Sequence, residues 1–97
     1  MPSLNPIIHQ SVRLRIMASL VALRPKHKVE FSYLGKLLKL TDGNLGAHLQ
    51  TLEEAGYIRI EKSFVERKPK TQVSITSKGR IEFEEHVDEL EKILKGP

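Results

Sequence analysis

The 97 residues contain no cysteine. That absence excludes a disulfide framework, a cysteine nucleophile and a thiolate metal site together, and it fits a chain kept in a reducing cytoplasm. Aromatic residues are scarce, three Phe and two Tyr, mostly at core-like positions, which argues against single-stranded RNA held on stacking platforms. Long hydrophobic runs are missing too. The longest near the start, Ile16 to Leu23, has Ser19 inside it and follows Arg13 and Arg15 in a helical pattern; it is too short to span a bilayer, so neither a signal peptide nor a membrane anchor is expected. There are no paired carboxylates, no nucleophile beside a base and no phosphate-cradling glycine loop, so no enzyme and no cofactor is expected.

A chain of this length fits one domain, taken as residues 1–97, with no room for a separate catalytic unit. Its 39% hydrophobic and 29% charged residues, with six Gly and five Pro, are the composition of a folded, helix-rich protein. The net charge of +4 is modest but unevenly placed. Residues 1–41 carry seven Lys/Arg against Glu30 alone, a net +6, and residues 42–58 carry only Asp42, Glu53 and Glu54, a net −3. Residues 59–80 return to +5, and from Ile81 onward six acids face Lys92 and Lys95, a net −4. One part of the molecule is suited to a polyanion and another is not.

Hydrophobic periodicity orders the elements. Ile8, Val12, Ile16, Leu20 and Leu23 recur at helical spacing, predicting a first helix over His9 to Leu23 that Arg24-Pro25 ends. Val29-Glu30-Phe31 reads as a short extended piece, and Ser32 as the N-cap of a second helix carrying Tyr33, Leu34, Leu37 and Leu38. Leu40-Thr41-Asp42-Gly43 breaks it, and Thr41 caps a third helix over about 42–55, closed by Gly56 in a left-handed conformation. Two helices joined by so tight a turn form a helix-turn-helix. Alternation in Tyr57 to Val65, with Ile58, Ile60 and Phe64 on one side, and in Gln72 to Ile75 predicts a hairpin over about 57–75 with the basic loop Glu66-Arg67-Lys68-Pro69-Lys70. Thr76 caps a last helix over about 77–95, where Phe83, Val87, Leu90 and Leu94 make an apolar stripe among acids.

The third helix divides into two faces. Leu45, Leu49 and Leu52 are core, while Gly43, Ala47, Gln50, Thr51 and Glu54 lie opposite, with Asn44 beside them. A face of such small residues suits entry into the roughly 12 Å major groove of a duplex, where Asn and Gln pair with adenine. Lys36 and Lys39 on one side and Arg67, Lys68 and Lys70 on the other would meet phosphates. A polar outer face is also what any surface helix carries; the basic flanks favour DNA.

Two stretches resemble a known family. Thr41-Asp42-Gly43-Asn44-Leu45-Gly46-Ala47-His48-Leu49-Gln50-Thr51-Leu52-Glu53-Glu54-Ala55-Gly56-Tyr57-Ile58 looks like the recognition helix and following strand of winged-helix regulators of the MarR and ArsR kinds. Ile75-Thr76-Ser77-Lys78-Gly79-Arg80 resembles the Leu-Thr-x-x-Gly-Arg that closes the wing of MarR-like proteins, and the likeness covers Phe31 to Arg80. It implies an α+β, mostly α fold, a winged helix-turn-helix with a β-hairpin wing and a C-terminal dimerisation helix, in a transcriptional regulator that binds double-stranded DNA. DNA would be met by Lys36, Thr41, Gly43, Asn44, Gly46, Ala47, His48, Gln50 and Thr51, and by Arg67, Lys68 and Lys70 in the wing. Gly46 and Ala47 stand where those families have hydroxyl or longer polar residues, so sequence reading is either modest or rests on DNA shape. The cysteine metal site of many ArsR members is absent, and nothing supports a small-molecule effector.

His48 is either a half-buried packing residue or a phosphate contact. His86, one turn after Glu82, is expected to be solvated rather than a metal ligand, and His9 and His27 have no evident partner. The stripe of the last helix either packs on its own domain or, as favoured because Ile8 and Val12 of the first helix also need cover, pairs with a second copy through Ile8, Val12, Phe83, Val87, Leu90 and Leu94. The other reading is a winged-helix module for protein contacts or a subunit of a larger complex.

Overall fold

A computed structural model describes residues 4–96. Its elements are α1 (Ser11–Val21), β1 (Val29–Glu30), α2 (Phe31–Leu38), α3 (Asp42–Glu54), β2 (Ile58–Val65), β3 (Lys68–Ile75) and α4 (Ser77–Lys95). The strands form one antiparallel sheet in the order β1-β3-β2. This is a winged helix-turn-helix, α+β and mostly α, in the element order the periodicity predicts.

One apolar core holds the layers together. Ile16, Met17 and Leu20 of α1, Leu34 and Leu38 of α2, and Leu45, Leu49 and Leu52 of α3 close on Ile58 and Val73 of the sheet. These are the helical i, i+3, i+4 positions of each segment, and fully burying one such side chain contributes about 1.5–3 kcal/mol. Tyr57 and Phe83 complete the core from the α4 side.

The four helix starts differ in how they are capped. Thr41 Oγ1 accepts the Asn44 N–H at 3.2 Å, and Thr76 Oγ1 accepts the Gly79 N–H at 2.9 Å, so both expected caps are present. Ser32 is not a cap. The second helix begins two residues earlier than expected, at Phe31 after Glu30, whose side chain makes no capping bond; Glu30 is paired with Gln72 in the sheet, and that extended strand runs directly into the helix. The first helix is also shorter than predicted, because Gln10 caps it through the Arg13 N–H at 2.9 Å, and the Leu23 N–H tightens back to the Leu20 carbonyl at 3.1 Å.

The turn between α2 and α3 is made by Lys39, at φ +57°, with the Leu40 N–H donating to the Gly35 carbonyl at 3.0 Å. Gly43 lies in the first turn of α3, as the range 42–55 expects, so the tight turn itself holds no glycine. Gly56 closes α3 at φ +82°, as predicted, with the Tyr57 N–H reaching the Leu52 carbonyl at 3.0 Å.

The second strand of the wing is longer, and its turn shorter, than the sequence indicates. Only Glu66 and Arg67 form its turn, both at positive φ, the two-residue arrangement whose twist matches antiparallel strands. Lys68, Pro69 and Lys70 therefore belong to β3, paired with Val65, Phe64 and Ser63. Pro69 is tolerated because β1 pairs only Val73 and Gln72, leaving this end of β3 with a single partner.

Arg80 and Gly79 lock α4 to the body. The Arg80 guanidinium donates to the Val21 and Leu23 carbonyls at 3.2 and 3.4 Å, satisfying the open end of α1. A Cβ at position 79 would stand 2.0 Å from the Tyr57 carbonyl oxygen, so the helix approaches the chain after α3 only because that residue is glycine.

Candidate nucleic-acid interface

The outward side of α3 is open. Thr41, Asp42, Gly43, Asn44, Ala47 and Gln50 are exposed, and Gly46, His48 and Thr51 are half-buried. A Cβ added at Gly43 or Gly46 would meet nothing within 4 Å, so neither glycine is there to relieve crowding inside the protein. Both leave the helix backbone accessible from outside. Thr51 spends its hydroxyl on the Ala47 carbonyl at 3.2 Å, and the Gln50 amide donates to Glu54 at 3.2 Å. Asn44 carries no side-chain bond among the described residues, so it and the exchangeable Gln50 amide are the polar groups this face offers a ligand.

His48 has a specific partner. Its Nδ1 lies 3.2 Å from Arg13 Nη1; since a guanidinium only donates, Nδ1 accepts and the ring hydrogen sits on Nε2. Burial, and then the Arg13 charge, lower its pKa. The ring is thus a neutral, half-buried donor. Arg13 Nε in turn donates to the Ile7 carbonyl at 2.6 Å, so α1, the segment before it and α3 are bound by one side chain.

A cleft of about 750 Å³ separates α3 from the wing, lined by Gly46, Gln50 and Glu53 on one wall and Ile60, Lys62 and Thr71 on the other, with Phe31 and Leu49 at its apolar end. The Glu53 carboxylate accepts the Ile60 N–H at 3.1 Å and sets the splay of the two walls. Lys62 is exposed in this cleft and was not singled out from the sequence. Strand alternation alone would have found it, because residue 62 falls on the side of Ile58, Ile60 and Phe64.

The expected wing cations separate. Arg67 stands in the turn and Lys68 beside it, both exposed, while Lys70 is half-buried and 3.4 Å from Glu30. Lys28 and Glu61 make a second ion pair on that side, at 2.6 Å, and the Lys28 bond holds the Glu61 carboxyl below its ordinary pKa. These pairs tether the sheet side that faces away from the cleft. Lys36 is exposed on α2.

The aromatic and apolar predictions divide as well. Tyr57 and Phe83 are buried, but Tyr33, with Leu37 one turn on, is exposed on α2, and Phe64 is 77% exposed in the wing because the core ends before it. Ile8 is fully buried and Phe83 nearly so in the core of their own chain, so neither offers surface to a second copy in this conformation. Val12, Val87 and Leu90 are half-buried, and Leu94 is 76% exposed with Ile93 beside it.

His86 is buried, not solvated. Its Nδ1 accepts the Asn5 backbone N–H at 3.1 Å, its Nε2 has no partner among the described residues, and the His9 ring lies 5.4 Å away. The same Asn5 donates through its side-chain amide to the Tyr57 hydroxyl at 2.8 Å and to Glu82 at 3.3 Å. Nothing in the local sequence marked this cluster, because Asn5 and His86 are 81 residues apart.

Comparison with known proteins agrees with this geometry. The chain is 40% identical over 89 residues to an uncharacterized protein of Methanocaldococcus jannaschii, covering 92% of this chain and 94% of that one. The solved structure of a transcriptional regulator homologue from Pyrococcus horikoshii is 37% identical, covers 93% of this chain and 86% of its own, and superposes with a TM-score of 0.84. A MarR-like transcriptional regulator from Thermotoga maritima is 26% identical over 98% of this chain and 65% of its own, with a TM-score of 0.65. Fold neighbours at lower identity include Streptococcus pneumoniae FabT in complex with DNA, 24% identical over 94% of this chain and 68% of its own at a TM-score of 0.58. The resemblance to MarR-type regulators therefore extends to the three-dimensional structure. The profile of winged helix DNA-binding domains matches residues 12–94, and the chain belongs to that family.

Proposed function

We propose that this chain is a transcriptional regulator of the cytoplasm that binds double-stranded DNA as a homodimer of single winged-helix units. The first half of α3 enters the major groove and the wing tip lies on the flanking minor groove or backbone. The observation that carries the reading is the α3 surface itself: exposed Gly43, Asn44, Ala47 and Gln50, with accessible backbone at Gly46, bounded by exposed Lys36, Lys62, Arg67 and Lys68. Small residues let a helix sit deep in the groove, and flanking cations meet the phosphates. The DNA complex of FabT, which shares the fold, adds support.

A second copy is supported by the end of α4. Leu90, Ile93 and Leu94 lie beyond the core, and the acids around them keep this end away from the duplex. A twofold dimer would set two α3 helices about 34 Å apart, in successive major grooves of a pseudo-palindromic site. Selection from a random duplex pool tests the reading, followed by titration of the winner at several salt concentrations. Enrichment of an inverted repeat is expected, with log K falling by about 0.9 per neutralised phosphate for each tenfold rise in salt. A pool that fails to enrich, together with salt-independent behaviour, overturns it. The competing reading of a protein-interaction module draws on exposed Tyr33 and Leu37 of α2, and predicts that outcome.

A further inference from the structure

Phe64 has no role in the core, yet a large aromatic is held in water at the end of the wing, 77% exposed. Its direction follows from the register. Ile58, Ile60, Lys62 and Phe64 of β2 stand opposite Ile75, Val73, Thr71 and Pro69 of β3, and residues two apart share a face of a strand. This face is buried at Ile58 and Val73, and it lines the cleft beside Gly46 and Gln50 at Ile60, Lys62 and Thr71. Phe64 and Pro69 continue it about 7 Å farther out. The apolar pair therefore lies on the side of the wing that faces the recognition helix.

The mount is rigid. A two-residue turn joins the strands, the ladder is paired out to Val65 and Lys68, and Pro69 directly opposite Phe64 has a fixed φ. Cations stand nearby: Lys62 on the same face, Arg67 in the turn and Lys68 at the tip on the opposite face, all exposed. An apolar wedge flanked by positive charge is complementary to the minor groove of a duplex, where base steps lie between two closely spaced phosphate rows. Apolar side chains inserted there unstack a step and kink the helix axis by about 20–90°.

We propose that Phe64, backed by Pro69, is a minor-groove wedge that partly unstacks one base step on each flank of the site and bends the DNA. The inference rests on the DNA-binding reading above. It also adds to the limited base reading that α3 offers with Gly46 and Ala47 on its surface, because pyrimidine–purine steps deform most easily. Sites carrying TA or CA under the wing are preferred.

The test uses the full chain and a selected duplex with a fluorophore pair at its ends and 2-aminopurine at the step beneath the wing. Energy transfer reads the bend, 2-aminopurine fluorescence reads unstacking, and anisotropy reads affinity. Wild type should bend the duplex and brighten the probe. Phe64→Ala should weaken binding by about tenfold while straightening the DNA and quenching the probe, with the salt dependence unchanged, and Phe64→Leu should retain most of the bend. Position 64 is exposed, so these variants are expected to fold. Wild type that binds but leaves the duplex straight and the probe dark overturns the wedge alone, as does a Phe64→Ala protein that bends DNA like wild type. Loss of self-association in Phe64→Ala with the bend unchanged would assign the residue to a contact between copies and likewise overturn it. Wild type that binds no duplex overturns the DNA reading beneath it.

Discussion

Gly79 and His86 show how single residues govern the docking of α4. With a Cβ at position 79 placed 2.0 Å from backbone, Gly79→Ala forces the helix off Tyr57. We expect a loss on the order of 3 kcal/mol in urea unfolding, since the obstructing atom cannot rotate away. His86 is buried with Nδ1 accepting from Asn5, so the neutral ring is the form the fold holds. Burial, and then the neighbouring His9 charge, lower its pKa from the ordinary 6.5. The unfolded chain then takes up the proton more readily than the folded one, so stability is present above pH 6.5 and falls as the pH drops through that value toward the folded-state pKa. His48 shifts in the same direction. Thermal unfolding from pH 7.5 down to 5 should show a declining midpoint, with a shallower decline in His86→Leu.

At the level of elements, the wing has two sides with different work. Lys70 faces Glu30 at 3.4 Å and Lys28 faces Glu61, so the side toward β1 is tethered to the protein's own acids. Lys62, Arg67 and Lys68 are without such partners among the described residues and stand at the cleft or the tip. Reversing charge should follow that division. Lys62→Glu and Lys68→Glu are each expected to weaken all duplexes alike, by about tenfold at moderate salt, and to flatten the salt dependence by about one phosphate equivalent. Lys70→Glu should weaken binding less and lower stability slightly by setting two carboxylates together. Equal losses from all three would remove the distinction. Gln50→Ala on α3 should chiefly relax sequence preference, read as a flatter profile across single-base variants of the selected site.

At the scale of the whole molecule, the shape is elongated. The molecule measures 55 × 25 × 21 Å, and the last turns of the 19-residue helix carry Leu90, Ile93 and Leu94 past the core. With Ile8 and Phe83 occupied inside the chain, the surface left for the proposed second copy is narrower than the stripe read in sequence. Leu90→Lys with Leu94→Lys should shift sedimentation from a dimer to the 11.0 kDa species, leave far-ultraviolet helicity nearly unchanged, and cut duplex affinity by far more than either wing reversal, because two half-sites are then bound independently. Unchanged sedimentation would remove this end of α4 as the proposed contact between copies.

Local pattern determined much of this protein. Leucines at helical spacing, threonine caps at positions 41 and 76, and glycine at 56 specify α3 and α4 almost to the residue, because capping and periodicity act within a turn or two of chain. The charge blocks likewise show in the sequence alone which stretches are basic and which acidic. Tertiary structure decided the remainder, where the deciding neighbour is distant in sequence. Only the fold brings Arg13 to His48, Asn5 to His86 and Glu30 to Lys70. Only the extent of the core shows that Ile8 is consumed inside the chain while Phe64, on the same alternating face as Ile58, runs past the last helix to cover it. Alternation assigns a side chain to a face; whether that face meets protein or solvent depends on what packs there.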